Sequence, residues 1–358
     1  MISLPDYPWD TLAPYAARAR SHPDGIVDLS VGTPVDSTPD VIQRALAAGA
    51  DAPGYPLTAG TPELREAIAS WFGRRFGADV APDAVLPVIG TKELVAWLPT
   101  LLGARSVGIP ALAYPTYDVG ARLAGASSAV VASTISVGPE RLDLLWINSP
   151  GNPTGVVLAP EHLRKVADWA RQRGTVVASD ECYADIYYSA ELPASILSPA
   201  VCGADHNGLL AVHSLSKRSN LAGYRAGFVA GDPALIARLL EVRKHAGMIV
   251  SAPVQAAMIA ALGDDDHVVA QRSRYAARRT SLLVALRGAG MTVEDTGAGL
   301  YLWATRDEPC WDTVDWLAGL GILVAPGEFY GVAGSQHVRF ALTATDERIA
   351  AAVSRLTG

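Results

Sequence analysis

Three apolar runs of strand length constrain this chain more than any other feature: "LDLLWIN" at 142–148, "GTVVAS" at 174–179 and "GLLAVHS" at 208–214. They carry little polar alternation, the pattern of strands covered on both faces. Between the first two lies "APEHLRKVADWARQRG", which puts Leu163, Val166, Ala167 and Ala170 on one helical face and stops at Gly174. Strand, helix and strand at this spacing predict right-handed crossovers and a mostly parallel sheet. In such sheets ligands bind beyond the carboxyl ends of the strands. Each run ends in a polar cluster there: "NSPGNPTG", "SDECY" and "SLSK". Three clusters on one sheet edge predict one site.

At 358 residues the chain is long for a single core, and two domains are expected. "TPELREAIASWFGRRFG" predicts a helix capped by Thr61, with Pro62 in its first turn, Gly77 beyond its end, and Leu64, Ile68, Trp71 and Phe72 on its buried face. From about residue 264 the pattern changes. "DDDHVVAQRSRYAARRTSLLVALRGAG" reads as one long charged helix, followed by the short segments "GLYLWAT", "GILVAPGEFYG" and "HVRFALT". These predict a smaller α+β domain, joined by the amino-terminal "GIVDLSVGTP". The fold class is therefore α/β.

A net charge of −7 argues against nucleic acid as the main partner. Cys182, Cys202 and Cys310 form no Cys-x-x-Cys pair, as in a reducing compartment. "MISLPDYPWD" lacks the basic and apolar regions of a signal peptide, and "AGMIVSAPVQAAMIAALG" is interrupted by Ser251, Pro253 and Gln255. A soluble cytoplasmic protein, with no membrane partner, is expected.

No P-loop, strand-anchored G-x-G-x-x-G, H-E-x-x-H or G-x-S-x-G is present, and the seven histidines show no metal-ligand spacing, so no metal is expected. The third run instead leads into "HSLSKRSNLAGYRAGF", where Lys217 stands between serines with Arg225 eight positions on. A lysine at the mouth of a buried strand is unfavourable unless something uses it. Lysine, hydroxyls and arginine together suit a Schiff base with pyridoxal phosphate. That cofactor needs a carboxylate at its pyridine nitrogen, which Asp180 can supply, and hydrogen bonds at its ring hydroxyl, which Asn152 and Tyr183 can supply. Ser214, Ser216 and Arg225 suit its phosphate, as do the backbone amides around Gly90, Thr91 and Lys92 where "IGTKELVAWLPTLLG" starts a helix. Tyr114, in "AYPTY", can stack on the ring. Alone, Asn152 fits a turn, Asp180 a helix cap, Arg339 a surface charge, and Tyr55 and Tyr114 plain packing. Together the roles interlock in one reaction.

"NSPGNPTG", "SDECY" and "SLSKRSNLAGYRAGF", in this order and spacing, resemble the class I/II aminotransferases of pyridoxal-phosphate fold type I over nearly the whole chain. The resemblance implies a large cofactor-binding domain with a mostly parallel mixed sheet at 36–275, and a small α+β domain from 1–35 and 276–358. It implies Lys217 as the Schiff-base lysine and proton carrier, Asp180 at the ring nitrogen, Asn152 and Tyr183 at the ring hydroxyl, and Tyr114 on the ring face. Ser214, Ser216 and Arg225 fall on phosphate ligands. Arg339, in "HVRFAL", falls on the arginine that grips the substrate carboxylate, with Gly32 and Asn152 also beside the substrate. Tyr55, in "YPLTAGTPELREAI", falls on a tyrosine that reaches the neighbouring subunit's phosphate, which implies a homodimer with shared sites.

Within the family, "PWDTLAPYAARARSHPDGIVDLSVGTPVD", "RKHAGMIVSAPVQAAM" and "GLYLWATRDEPCW" resemble the actinobacterial-type N-succinyl-diaminopimelate aminotransferases of lysine and diaminopimelate biosynthesis. The implied reaction is transamination between glutamate and N-succinyl-2-amino-6-oxopimelate. Its distal carboxylates need a second basic group, for which Lys92 and Arg218 are the candidates by position. Only "ARSVGIPAL" joins "WLPTLLG" to "AYPTY", shorter than in that branch, and a shortened strand before Tyr114 is expected. A different keto acid, or a lyase on the same fold, is the alternative. A non-catalytic sensor module would need a DNA-binding domain, for which residues 1–40 are too short.

Overall fold

The three apolar runs form adjacent strands in the computed structural model, which describes residues 4–132, 141–294 and 297–358. In chain order the first strands are β1 (Val27–Asp28), β2 (Val85–Ile89), β3 (Ser106–Pro110), β4 (Ser127–Val131) and β5 (Leu144–Asn148). Then come β6 (Val176–Asp180), β7 (Leu209–Ser214), β8 (Ala226–Gly231) and β9 (Thr292–Val293). The last are β10 (Tyr301–Thr305), β11 (Ile322–Leu323), β12 (Ala325–Pro326) and β13 (His337–Ala341).

The large sheet has seven strands in the order β2-β8-β7-β6-β5-β3-β4. β8 pairs antiparallel with both of its neighbours, while the other pairings are parallel, so one strand runs against six. β5, β6 and β7 are buried almost throughout, as their unbroken apolar runs require. One face packs on helices Pro62–Phe76, Pro160–Arg173 and Ala252–Gly263, and the other on Thr91–Leu102 and Pro233–Ala246. Thr61 caps Pro62–Phe76 by accepting from the Leu64 amide, and Gly77 ends it in the left-handed region. Its Leu64, Ile68, Trp71 and Phe72 are buried; each contributes about 1.5–3 kcal/mol.

A second core gathers around the antiparallel sheet β12-β13-β10-β9 and the parallel pair β1-β11. Val27 opposite Ile322 is the register by which "GIVDLSVGTP" joins the carboxyl-terminal segments. The charged stretch after residue 264 is a single helix, Asp266–Gly288, and the boundary expected at 275 falls inside it. Tyr275, Leu282, Leu283 and Leu286 face the second core. Among the described residues no helix is long and apolar enough to cross a membrane.

The short connection before Tyr114 does not shorten its strand. β3 has five residues, as many as β5 and β6, and pairs with β4 along its whole length. The turn between helix Thr91–Leu102 and β3 is tight: Gly103 takes a left-handed φ of 67° and its amide donates back to Thr100.

Candidate active site

A cavity of about 240 Å³ opens at the carboxyl ends of β5, β6 and β7. The three polar clusters meet there, as the shared sheet edge requires. Asn148 ends β5, and its side-chain amide donates to the Asp180 carbonyl at 2.9 Å while its Oδ1 accepts from the Asn152 amide at 2.7 Å. One strand-end residue thus fixes the loop that carries Asn152.

Asp180 ends β6 and is buried. Its carboxylate accepts from the Tyr117 hydroxyl at 2.7 Å and from the Cys182 amide at 3.2 Å. Burial raises its pKa, against these hydrogen bonds, which favour the charged form. Burial pushes the Tyr117 phenol well above its usual range, with Asp180 adding to the shift, so this tyrosine remains a donor. Its ring stacks on Trp146 at 5.0 Å.

Ser214 ends β7 and caps the four-residue helical turn Leu215–Arg218 that carries Ser216 and Lys217, its hydroxyl accepting from the Ser216 amide at 3.1 Å. Lys217 lines the cavity and its ammonium donates to the Gly32 carbonyl. Desolvation in this recess, with Arg339 and Arg225 nearby, lowers its pKa to about 8. The amine therefore becomes neutral above about pH 8, where an exposed lysine is still charged. Labelling of the apo protein with acetic anhydride, read by peptide mass spectrometry, is expected to reach half its maximal rate at Lys217 near pH 8, well below the surface lysines. A Lys217 profile matching theirs would refute the shift.

The phosphate-binding expectation meets a cradle of matching chemistry. Gly90 precedes helix Thr91–Leu102 at φ 70°, and no side chain caps that helix, so its first amides are open to an anion. Arg225 holds a left-handed backbone at φ 56° and lays its guanidinium across Gly90, where a Cβ would lie 2.2 Å from its terminal nitrogen. The backbone at 90 favours glycine, and a side chain there would displace the Arg225 guanidinium. Thr91, Ser214, Ser216 and Arg225 line the same cavity. Carboxylate, lysine and anion cradle fit pyridoxal phosphate.

Arg339 lines the same cavity and is 2% exposed. It donates to Asn152 Oδ1 at 3.0 Å and to the Ser30 carbonyl at 2.7 Å, while its Nε has no hydrogen-bond partner among the described residues. Its guanidinium lies 3.8 Å from the Tyr301 ring centroid and 5.0 Å from that of Tyr330. Tyr183 is buried, with its hydroxyl 3.1 Å from that of Tyr301. Tyr114 and Gly32 also line the cavity. Lys92 sits at its mouth, its ammonium 5.5 Å from the Tyr7 ring centroid and 5.9 Å from that of Tyr114.

Two predicted residues lie elsewhere. Arg218 does not reach the cavity: it is 4% exposed and pairs with Asp185 at 3.0 Å. Neighbours in a helical turn point about 100° apart, so the turn that aims Lys217 inward turns Arg218 away. Tyr55 is 99% exposed and outside this chain's own cavity. Conversely, Tyr7, Trp9, Tyr117, Asn148, Cys182 and Tyr301 line the cavity without having been expected there. Tyr117 had a signal, as the second tyrosine of "AYPTY"; Tyr301 had only its place in a strand-like run.

Residues 24–356 match the family of class I and II aminotransferases. The chain belongs to that family. It is thus a transaminase that depends on pyridoxal phosphate and exchanges amino groups between amino acids and keto acids. The aminotransferase is 61% identical over 360 residues to the 4-dedimethylamino-4-oxo-anhydrotetracycline transaminase OxyQ of Streptomyces rimosus, covering 100% of both chains. It is 64% identical to the probable aminotransferase Rv1178 of Mycobacterium tuberculosis, across 99% of this chain and 86% of that one. Among solved structures it resembles a probable N-succinyldiaminopimelate aminotransferase from Thermus thermophilus, at 28% identity and a TM-score of 0.88 over 98% and 99% of the two chains.

Proposed function

We propose that this aminotransferase moves the amino group of glutamate to N-succinyl-2-amino-6-oxopimelate. The observation that carries the reading is Arg339: a buried guanidinium with an unbonded Nε, lining the same cavity as Lys217. A buried cation with free donors is built for an incoming carboxylate, and both substrates carry one beside the reacting carbon.

The other roles follow from chemistry. Pyridoxal phosphate, when bound, supplies the electron sink that makes the substrate's α-hydrogen acidic. Lys217 takes that proton as general base and returns it as general acid, a role suited to a pKa of about 8. Asp180, held by the Tyr117 hydroxyl and the Cys182 amide, would supply the carboxylate for the ring nitrogen. Asn152 and Tyr183 would hold the ring hydroxyl, Tyr114 the ring face, and Ser214, Ser216, Arg225 and the amides from Gly90 to Lys92 the phosphate. Lys92 at the mouth is the cation available to a distal carboxylate.

The same proposal includes a homodimer, in which the exposed Tyr55 reaches the partner's phosphate, a cytoplasmic setting, and the division into residues 36–275 and 1–35 with 276–358. The three unpaired cysteines and the two hydrophobic cores support the last two.

One observation favours a second acceptor. Tyr7, Trp9 and Tyr114 make the mouth aromatic, which suits a flat polycyclic ketone such as the one named for OxyQ. With glutamate as donor, turnover is to be compared for N-succinyl-2-amino-6-oxopimelate, 4-dedimethylamino-4-oxo-anhydrotetracycline and 2-oxoadipate. The first is expected to have the highest kcat/KM, by at least about tenfold. Preference for the tetracycline ketone would replace the first reading with the second.

A further inference from the structure

We propose that Tyr301 is a positioning residue of this site, its ring aiming Arg339 at the incoming carboxylate and its hydroxyl holding Tyr183 as a donor into the cavity. The inference rests on the roles proposed for Arg339 and Tyr183.

Strand register begins the argument. β10 and β13 run antiparallel with Trp303 opposite Arg339 and Tyr301 opposite Ala341. Tyr301 and Arg339 are therefore diagonal neighbours on one face, within reach for long side chains. The diagonal is used twice: Arg339 lies 3.8 Å from the Tyr301 ring centroid, and His337 stacks on Trp303 at 5.0 Å with planes 3° apart. With its central carbon over the ring, the guanidinium still has its Nε–H unpaired for a carboxylate.

The hydroxyl has a separate task. Tyr301 Oη is 3.1 Å from Tyr183 Oη, and the two rings meet edge to face. Each phenol has one proton, and the contact between them needs only one. When Tyr301 donates, Tyr183 keeps its own proton for a cavity ligand, and accepting a hydrogen bond makes it the stronger donor. Burial, with Tyr301 adding to it, holds the Tyr183 phenol well above its usual pKa, so that proton is retained. Tyr301 also shapes the floor: a Cβ at Gly32 would lie 2.3 Å from its hydroxyl, and the Gly32 carbonyl is the Lys217 partner.

The test uses holoenzyme and two readouts besides turnover: the Kd of glutarate, a dicarboxylate without an amino group, and the pH midpoint of the bound cofactor's visible absorbance. Tyr301→Leu is expected to weaken glutarate about tenfold. Tyr301→Phe keeps the ring, so its glutarate Kd stays within about threefold while the midpoint rises by about 0.5 unit, because a weaker donor at Tyr183 favours the cofactor's charged form less. Tyr183→Phe is expected to move the midpoint the same way, and adding Tyr301→Phe to it to change nothing further. Where Tyr301→Leu gives no folded holoenzyme, Tyr301→Met takes its place under the same threshold. Glutarate binding within about twofold of the parent in that variant overturns the platform role, and an unmoved midpoint in Tyr301→Phe overturns the hydroxyl role. Arg339→Gln separates the layers. If it leaves glutarate binding intact, the reading of Arg339 itself fails; if it abolishes binding while Tyr301→Leu does not weaken it, only the Tyr301 inference falls.

Discussion

Replacing Lys217 with alanine is expected to slow the glutamate half-reaction by about 10³- to 10⁴-fold, because one side chain both receives the cofactor and carries the proton. The recess around it shows why no other group substitutes. Tyr117 and Tyr183 have phenols pushed well above their usual range by burial, so neither takes up a proton near neutrality. Asp180 is already engaged by two hydrogen bonds. Arg339 and Arg225 remain cationic. Burial pushes the Cys182 thiol well above its usual range too, and the other amine among the described lining residues is Lys92, whose ammonium stands against the Tyr7 and Tyr114 rings at the mouth. Stopped-flow absorbance with saturating glutamate measures the step, and small primary amines should partly restore it by supplying the missing base. A Lys217→Ala enzyme within about tenfold of the parent rate would end the proposed mechanism.

The second large effect falls on Asp180. Asp180→Asn is expected to lower kcat by about 10²- to 10³-fold, comparable with the loss of one preorganised electrostatic contact in a dry site. Size and shape are conserved, so the loss reports charge. The charge is finely held: burial raises the Asp180 pKa, and the Tyr117 hydroxyl is among the groups that lower it. Tyr117→Phe removes that donor, so the Asp180 pKa rises further and the carboxylate protonates at higher pH. The acid limb of the kcat profile should therefore move upward in Tyr117→Phe, with the plateau less affected. A downward move, or full activity in Asp180→Asn, would show that this carboxylate does not serve the ring.

Lys217, Asp180 and Tyr117 differ in how visible they are in the sequence. Asp180, Ser214 and Lys217 could be read because each closes an apolar run, and the end of a strand is a local signal. The parallel sheet then brings those ends together without further information. Asp180 lies opposite Val212 in register, so the second and third clusters had to meet. Tyr117 was not read as a partner of Asp180, since the two are 63 residues apart and joined only by tertiary packing. Tyr301 was hidden for a related reason: its meaning depends on an antiparallel register with a strand some forty residues later, which no local pattern fixes. Arg218 misled because the residue next to Lys217 in a helical turn points about 100° away from it, here to Asp185.

The turn at Arg225 carries a consequence for anyone altering this protein. A left-handed arginine costs about 1–2 kcal/mol relative to a comfortable backbone, and glycine would relieve most of it. Glycine would also delete the guanidinium that lies over Gly90. A library screened for heat resistance alone would therefore favour glycine at this one position, gaining a few degrees of melting temperature while weakening the anion cradle.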